Sequence, residues 1–335
     1  MLLQPGTIAL ILGSGITLLL LTYASGVGIK ILRNWDIGSS SEEQLALERK
    51  TYLVSTLVRY GLAFEIVSAF IFIYAADDLH NLLVGAMCAT GSLNANSFGF
   101  PALYIKIAIF FVASVWIAMD SLDNRAEDYP LTKKKYGLLL FVVPLVLAGY
   151  ILQIVYFASI DPNVITSCCG VLFSEGGANI GSSLASLPLR RTEVAFFGSF
   201  ALLIAFGIAA TKSARKLFII PFSILSAGFF PISIAAIISF ISLYFYQIPT
   251  HHCPFDMLQS EYYYAGYPLY FSLFAGSFFG TMTGIIEPFR KIGTLSALIP
   301  GVQRRWVLVS IVCLTVFVLI SLVPIVFASF TLEGY

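Results

Sequence analysis

One short segment of this chain, IPTHHCPFDMLQ at residues 248–259, holds two of its three histidines and one of its five cysteines. It places two imidazoles, a thiol and a carboxylate close together, at His251, His252, Cys253 and Asp256, although the chain of 335 residues has only three His and five Cys. Imidazole and thiolate are the ligands that zinc, copper and iron take in proteins. Two thiols can also form a disulfide. The segment therefore predicts a metal site, a disulfide or a redox-active thiol.

The composition indicates that a membrane protein must position these groups. Hydrophobic residues make up 58% of the chain and charged residues 11%, whereas soluble domains carry about 25% charged residues. A soluble protein of this length could not bury so much apolar surface. We therefore predict an all-α, polytopic integral membrane protein, a single transmembrane domain over residues 1–335 that contacts the lipid bilayer. The net charge of +1 gives no reason to expect nucleic acid as a partner.

Eight apolar stretches are long enough to cross a hydrocarbon core of roughly 30 Å. The connecting loops carry no glycine-rich nucleotide-binding motif and no complete catalytic motif, so any ATP-driven work would need another subunit. The predicted spans are at about 8–32, 52–76, 101–120, 137–158, 193–211, 217–245, 267–287 and 306–329.

The distribution of cationic residues predicts the orientation of the bundle. Four loops on one side hold 15 of the 19 Lys and Arg residues. Cytoplasmic loops carry an excess of Lys and Arg, because these residues resist translocation. Both termini and the loops 77–100, 159–192 and 246–266 are then expected on the outer side, which would be the periplasmic side of a bacterial or archaeal cytoplasmic membrane.

All three histidines fall in these outer loops, together with four of the five cysteines. The cytoplasmic loops contain neither residue type, and Cys313 lies within a span, where a thiol packs as a small hydrophobe. The outer loops could meet above the bundle and bring their side chains together. The candidate residues for a metal site or a disulfide are His80, Cys88, Cys168, Cys169, His251, His252 and Cys253.

Three interpretations of the outer residues stay open. An oxidising outer compartment favours disulfides, in which the adjacent Cys168 and Cys169 would pair with Cys88 and Cys253. A mixed thiolate and imidazole set would instead hold a copper, zinc or iron ion, or haem iron, with Asp256 orienting a ring nitrogen. Dithiol redox chemistry is the third, although the chain has no CxxC motif. Covalent c-type haem is not expected without a CxxCH motif, and b-type haem is not expected without His in the spans.

Polar residues within the spans form a second set of candidates. Glu65 is the one acidic residue deep in a predicted span, and a charge there is costly unless it is paired, protonated or facing a polar cavity. Arg59 lies six residues earlier, on a different helix face, and is expected to extend toward the inner surface. A partner for Glu65 would therefore come from another helix, and Lys106 and Gln153 are the candidates.

Two spans carry features of helix packing. In the seventh span, Gly276, Gly280 and Gly284 recur every four residues and line one face, which lets another helix approach closely. The sixth span contains Pro221 and Pro231, which remove backbone hydrogen bonds and bend helices. Because this span leads directly into the His-rich loop, its bend would aim that loop.

The sequence leaves three functions open. The location of His and Cys on one side favours an inner-membrane subunit of an electron-transfer or metal-handling system. A transporter or permease subunit could instead use Glu65 and the bent sixth span, with the cysteines bridged. A structural anchor of a larger complex, docking membrane or periplasmic partner subunits, is the third.

Overall fold

The computed structural model describes residues 2–161, 180–327, 330 and 332. Over these residues it confirms the predicted all-helical class and shows eight helices that are long and apolar enough to cross a membrane. Every helix begins before the predicted apolar stretch, because it starts in the residues that precede that stretch, whereas α7 ends at Ile285, two residues before the predicted end. The helices are α1 Pro5–Asn34, α2 Glu42–Asp78, α3 Gly99–Asp123, α4 Thr132–Ala158, α5 Leu189–Lys212, α6 Lys216–Tyr246, α7 Gly266–Ile285 and α8 Leu298–Phe327.

Local sequence signals set several of the helix ends. Pro5 occupies the start of α1, where its missing N–H costs nothing and its fixed φ suits a helix. Ser41 caps α2 by accepting a hydrogen bond from the Gln44 backbone N–H. Glu42 and Glu43 follow in the first turn, where negative charge is favourable near the helix N-terminus.

The helices form two compact units along the chain. In the first unit, α1 packs on α2 and α4, and α3 packs on the same two helices. Its core is apolar and draws on all four helices, with Leu21, Val58, Trp116 and Tyr136 among its fully buried side chains.

The second unit contains α5 to α8 and also the segment His80–Ser92, which precedes α3 in the chain. Here α5 packs on α6 and α8, and α7 packs on the same two helices. Both units therefore connect four helices in the same neighbour order, although the sequence shows no clear internal repeat. Since His80–Ser92 belongs to the second unit, this unit contains both Cys88 and Cys253.

The glycine face of α7 is covered within the second unit. A Cβ atom built on Gly280 would lie 2.5 Å from the Ser226 Cβ of α6 and 2.7 Å from the Ser310 Oγ of α8. A side chain at this position would therefore collide with both neighbours. The close approach lets the Ser310 hydroxyl donate to the Gly276 carbonyl at 2.7 Å and the Ser223 hydroxyl donate to the Thr281 carbonyl at 2.7 Å. These hydrogen bonds join α7 to its neighbours where no water is available.

The sixth helix changes its winding near its C-terminal end. Residues Lys216–Ala236 are α-helical and include Pro221 and Pro231, and a π-helical turn follows at Ile237–Ile241. In this turn the Ser242 N–H donates to the Ile237 carbonyl, five residues back, so the Ile238 carbonyl loses the backbone donor that an α-helix would supply. The helix ends at Tyr246, and Gln247 adopts a left-handed conformation with φ 54°.

Candidate metal centre

The loop after α6 is fixed from the two helices that flank it. The Tyr246 hydroxyl donates to the Cys253 carbonyl at 2.7 Å and accepts from the Met257 N–H at 3.0 Å. From α7, the Tyr270 hydroxyl donates to the Pro254 carbonyl at 2.6 Å. These contacts hold the backbone of the Cys253 turn, so the position of its thiol is set by rigid helices.

The π-helical turn of α6 anchors His252. The His252 Nδ1 lies 2.8 Å from the Ile238 carbonyl oxygen, the acceptor that the turn releases. A carbonyl can only accept, so Nδ1 carries a proton and donates this hydrogen bond. This hydrogen bond fixes the His252 ring against the C-terminal part of α6.

The segment His80–Ser92 brings a second thiol to the same place. The Gln259 side chain donates to the Met87 carbonyl, which ties this segment to the loop after α6. As a result the Cys88 Sγ lies 3.3 Å from the Cys253 Sγ. Both thiols are buried, with 1% and 0% of the residue surface exposed. The Thr90 hydroxyl also lies 3.3 Å from the Cys253 Sγ.

Asp256 joins the two thiols to an imidazole. Its Oδ1 accepts a hydrogen bond from the Cys253 thiol at 3.2 Å, while its Oδ2 is bonded to the His251 Nε2. Two Sγ atoms and a carboxylate oxygen, from Cys88, Cys253 and Asp256, lie within 4.8 Å of one another. Among the described residues this set meets the spacing of a metal site.

No family model, no curated protein and no solved structure matches this chain.

The electrostatics of the cluster follow from its burial. Burial raises the pKa of Asp256 above its ordinary value, since the carboxylate loses water, and the nearby Cys88 adds to this effect. The hydrogen bond to Asp256 raises the pKa of His251, although partial burial of the ring opposes it. A proton leaving the Cys253 thiol therefore has an adjacent carboxylate and then an imidazole that can take it.

The structure brings together only some of the His, Cys and Asp residues that the sequence grouped as one candidate site. Cys88 and Cys253 meet, and Asp256 touches a thiol directly, with His251 bonded to its far oxygen. His252 is bonded to α6, and His80 lies outside the three-residue set, in the 3₁₀ turn Leu79–Leu82. Cys168 and Cys169 lie outside the described residues.

Four contributors to this site were not predicted from the sequence, namely Thr90, Tyr246, Gln259 and Tyr270. Thr90 could have been suspected, because it lies two residues after Cys88. Tyr246 and Tyr270 are tyrosines at span ends, which the sequence cannot distinguish from an interfacial aromatic belt. Their hydroxyls become identifiable as loop anchors only when the helix ends are placed against the loop.

Among the described residues of the first unit, charged side chains meet in two separate clusters. In one, the Lys106 ammonium donates to the Glu65 Oε2 at 3.2 Å, the Ser68 hydroxyl at 2.9 Å and the Ser14 hydroxyl at 3.3 Å. Lys106 is thus the partner that Glu65 requires. The buried amide of Gln153 and the Glu65 Oε1 have no hydrogen-bond partner among the described residues.

The second cluster of the first unit joins α2, α3 and α4. Asp120 accepts from the Arg59 guanidinium and, at 2.8 Å, from the Lys135 ammonium. Lys135 also lies 2.8 Å from Asp123, which in turn accepts from the Leu131 N–H at 2.7 Å and so holds the start of α4. Arg59 does not simply extend to the surface, because its charged group ends on a buried carboxylate.

Proposed function

We propose that this chain is a membrane subunit of a metal-handling system and binds a thiophilic metal ion at Cys88, Cys253 and Asp256. The observation that carries the proposal is the meeting of three ligand atoms within 4.8 Å. The two thiols are 165 residues apart in the chain. Their meeting therefore depends on tertiary structure, which the Tyr246, Tyr270 and Gln259 hydrogen bonds support.

The donor set favours zinc. Zinc takes thiolate and carboxylate ligands together, and the three ligands found among the described residues leave the fourth tetrahedral position to water or an incoming ligand. A tetrahedral ion with Zn–S bonds of about 2.3 Å places its two sulfurs about 3.8 Å apart. The Cys88 and Cys253 sulfurs at 3.3 Å would need to separate by about 0.5 Å. Two buried thiolates beside a carboxylate also require a cation to offset their charge.

An open ligand position suits an ion that is passed on. The side chain of His251 is 28% exposed and that of Asp256 is 11% exposed, so the carboxylate edge of the site is the accessible edge. A periplasmic partner subunit that delivers or accepts the ion would approach here. We place this loop on the outer side of the membrane because the loops on the opposite side carry most of the Lys and Arg residues.

Zinc titration of the purified, reduced protein tests this function. We expect one tightly bound Zn²⁺ per chain, and an affinity at least about 100-fold lower in the Cys88→Ser, Cys253→Ser and Asp256→Asn variants. Changes that only disturb the surroundings of a metal ligand already cost about 10–100-fold, so loss of a ligand should cost no less. Competition with a chromophoric chelator gives the affinities, and elemental analysis gives the stoichiometry.

The matched control is Cys313→Ser, which removes a thiol within α8 and should leave zinc affinity unchanged. Copper(I) is titrated in parallel, because two thiolates also suit that ion. A reduced, folded wild-type protein that binds neither ion would contradict the proposal. Equal zinc affinity in the wild type and in all three ligand variants would do the same.

Ion-coupled transport is a second candidate function, supported by the first unit. Glu65 and Lys106 are each 1% exposed within the spanning helices α2 and α3. Intramembrane ionisable pairs are costly and mark ion or proton pathways in many membrane proteins. The Glu65 Oε1 and the Gln153 amide, without partners among the described residues, are groups that a transported ion or molecule could use.

Transport is tested in vesicles that contain the protein and a trapped pH indicator. If Glu65 exchanges a proton for Zn²⁺, a zinc gradient should change the internal pH, and Glu65→Gln should slow this change at least ten-fold because the side chain no longer ionises. Glu127→Gln, at an exposed position, is the matched control. Equal rates in the wild type and Glu65→Gln would exclude this role for Glu65.

A further inference from the structure

The two thiols of the candidate metal centre are also placed to react with each other. Their sulfurs lie 3.3 Å apart, and a disulfide bond is about 2.05 Å long. Bond formation would draw the sulfurs together by about 1.3 Å, whereas zinc coordination would move them apart by about 0.5 Å. The observed separation therefore lies between those of the two states.

The two states exclude each other chemically. The thiolate is the form of cysteine that binds metal, and oxidation to a disulfide removes both thiolates at once. The remaining ligand would be the Asp256 carboxylate, which cannot hold a zinc ion alone. Conversely, a zinc ion between the sulfurs holds them apart and withdraws the electron pair that would attack an oxidant.

We propose that Cys88 and Cys253 form a redox switch, in which a disulfide oxidant converts the metal-binding dithiolate into a disulfide and releases the ion. This inference rests on the proposed metal-binding function and names the regulation of that site. This switch also gives the chain an electron-transfer function, because forming the disulfide passes two electrons to the oxidant.

The reaction proceeds in two exchange steps. One protein thiolate attacks a sulfur of the oxidant disulfide, so that a mixed disulfide forms and one thiolate leaves. The second protein thiolate then attacks the cysteine sulfur of the mixed disulfide, which closes the Cys88–Cys253 bond and expels the second thiolate. The protein loses two electrons, the oxidant gains them, and Zn²⁺ leaves as the free ion. The two released thiolates take two protons from water.

The test uses the full-length protein, reduced and loaded with Zn²⁺, with oxidised glutathione as the oxidant. We expect one zinc released for each Cys88–Cys253 disulfide formed, followed by a zinc indicator and by mass spectrometry of peptides. In the metal-free protein the same disulfide should form at least ten-fold faster. A reductant should restore zinc binding.

Two variants keep the outcomes distinguishable. Asp256→Asn weakens zinc binding but retains both thiols, so it should still form the disulfide. Cys168→Ser/Cys169→Ser removes the other outer thiols and should leave zinc release and the Cys88–Cys253 disulfide unchanged. If wild-type protein binds no zinc, the metal function fails. If it binds zinc but oxidation leaves the ion in place, or joins Cys88 or Cys253 to other cysteines instead, the switch fails while the metal function stands.

Discussion

Replacing Lys106 by methionine is expected to lower the free energy of unfolding by about 3–5 kcal/mol, the usual cost of leaving one member of a buried ion pair without the other. Lys106 supplies three hydrogen bonds to Glu65, Ser68 and Ser14. Without it, the buried Glu65 carboxyl must either stay charged without a counterion or take up a proton. Unfolding of the purified variant by SDS in mixed micelles, followed by the loss of tertiary structure, measures the change.

Two controls separate this effect from a general loss of positive charge. Lys133→Met changes an exposed lysine of α4 and should alter stability by less than about 0.5 kcal/mol, as surface substitutions do. The double variant Glu65→Leu/Lys106→Met removes both charges and should recover most of the lost stability, because apolar replacement of a whole buried pair is often neutral. A double variant no more stable than Lys106→Met would show that the charge pair is not the cause.

The substitution Asp120→Asn is expected to have an effect of similar size, about 3–5 kcal/mol. Asp120 is fully buried and is the carboxylate shared by Arg59 and Lys135. Asparagine keeps the shape of the side chain but removes the charge that Arg59 and Lys135 share, and leaves Lys135 with Asp123. Asp123 already accepts from the Leu131 N–H and the Thr132 hydroxyl, so it cannot compensate without giving up the start of α4.

The same unfolding experiment tests this prediction, with Glu127→Gln as the exposed carboxylate control. A double variant distinguishes loss of the shared anion from a general loosening of the bundle. Removing Arg59 in the same background, as Arg59→Met/Asp120→Asn, restores one anion for one cation and should regain part of the stability. Asp120→Asn as stable as Glu127→Gln would contradict the role assigned to Asp120.

The spanning helices could be predicted from the sequence because the lipid solvent imposes a strong rule. Each span must satisfy its own backbone hydrogen bonds and present apolar side chains over its length. The same rule made Glu65 conspicuous and implied a partner on another helix. It could not choose between Lys106 and Gln153, since that choice depends on which helix faces lie together.

The candidate metal centre was only partly predictable. The residue types at 251–256 pointed to metal or thiol chemistry, but the sequence could not select which distant cysteine joins Cys253. That selection depends on the chain segment that carries Cys88 lying in the second unit. Nor could the sequence show that His252 is held by the Ile238 carbonyl, because the π-helical turn that releases this carbonyl has no clear signature in the residues of α6.

The inclusion of His80–Ser92 in the second unit has a consequence for how the protein is made. Cys88 is synthesised 165 residues before Cys253, which is a delay of roughly 8–33 s at translation rates of about 5–20 residues per second. During this interval Cys168 and Cys169 are completed, and they are the first thiols that follow Cys88 in the chain. An oxidising compartment would therefore offer Cys88 the wrong partner first. Correct assembly then requires that Cys88 be kept reduced until the sixth helix is inserted, or that a thiol isomerase rearrange an early disulfide.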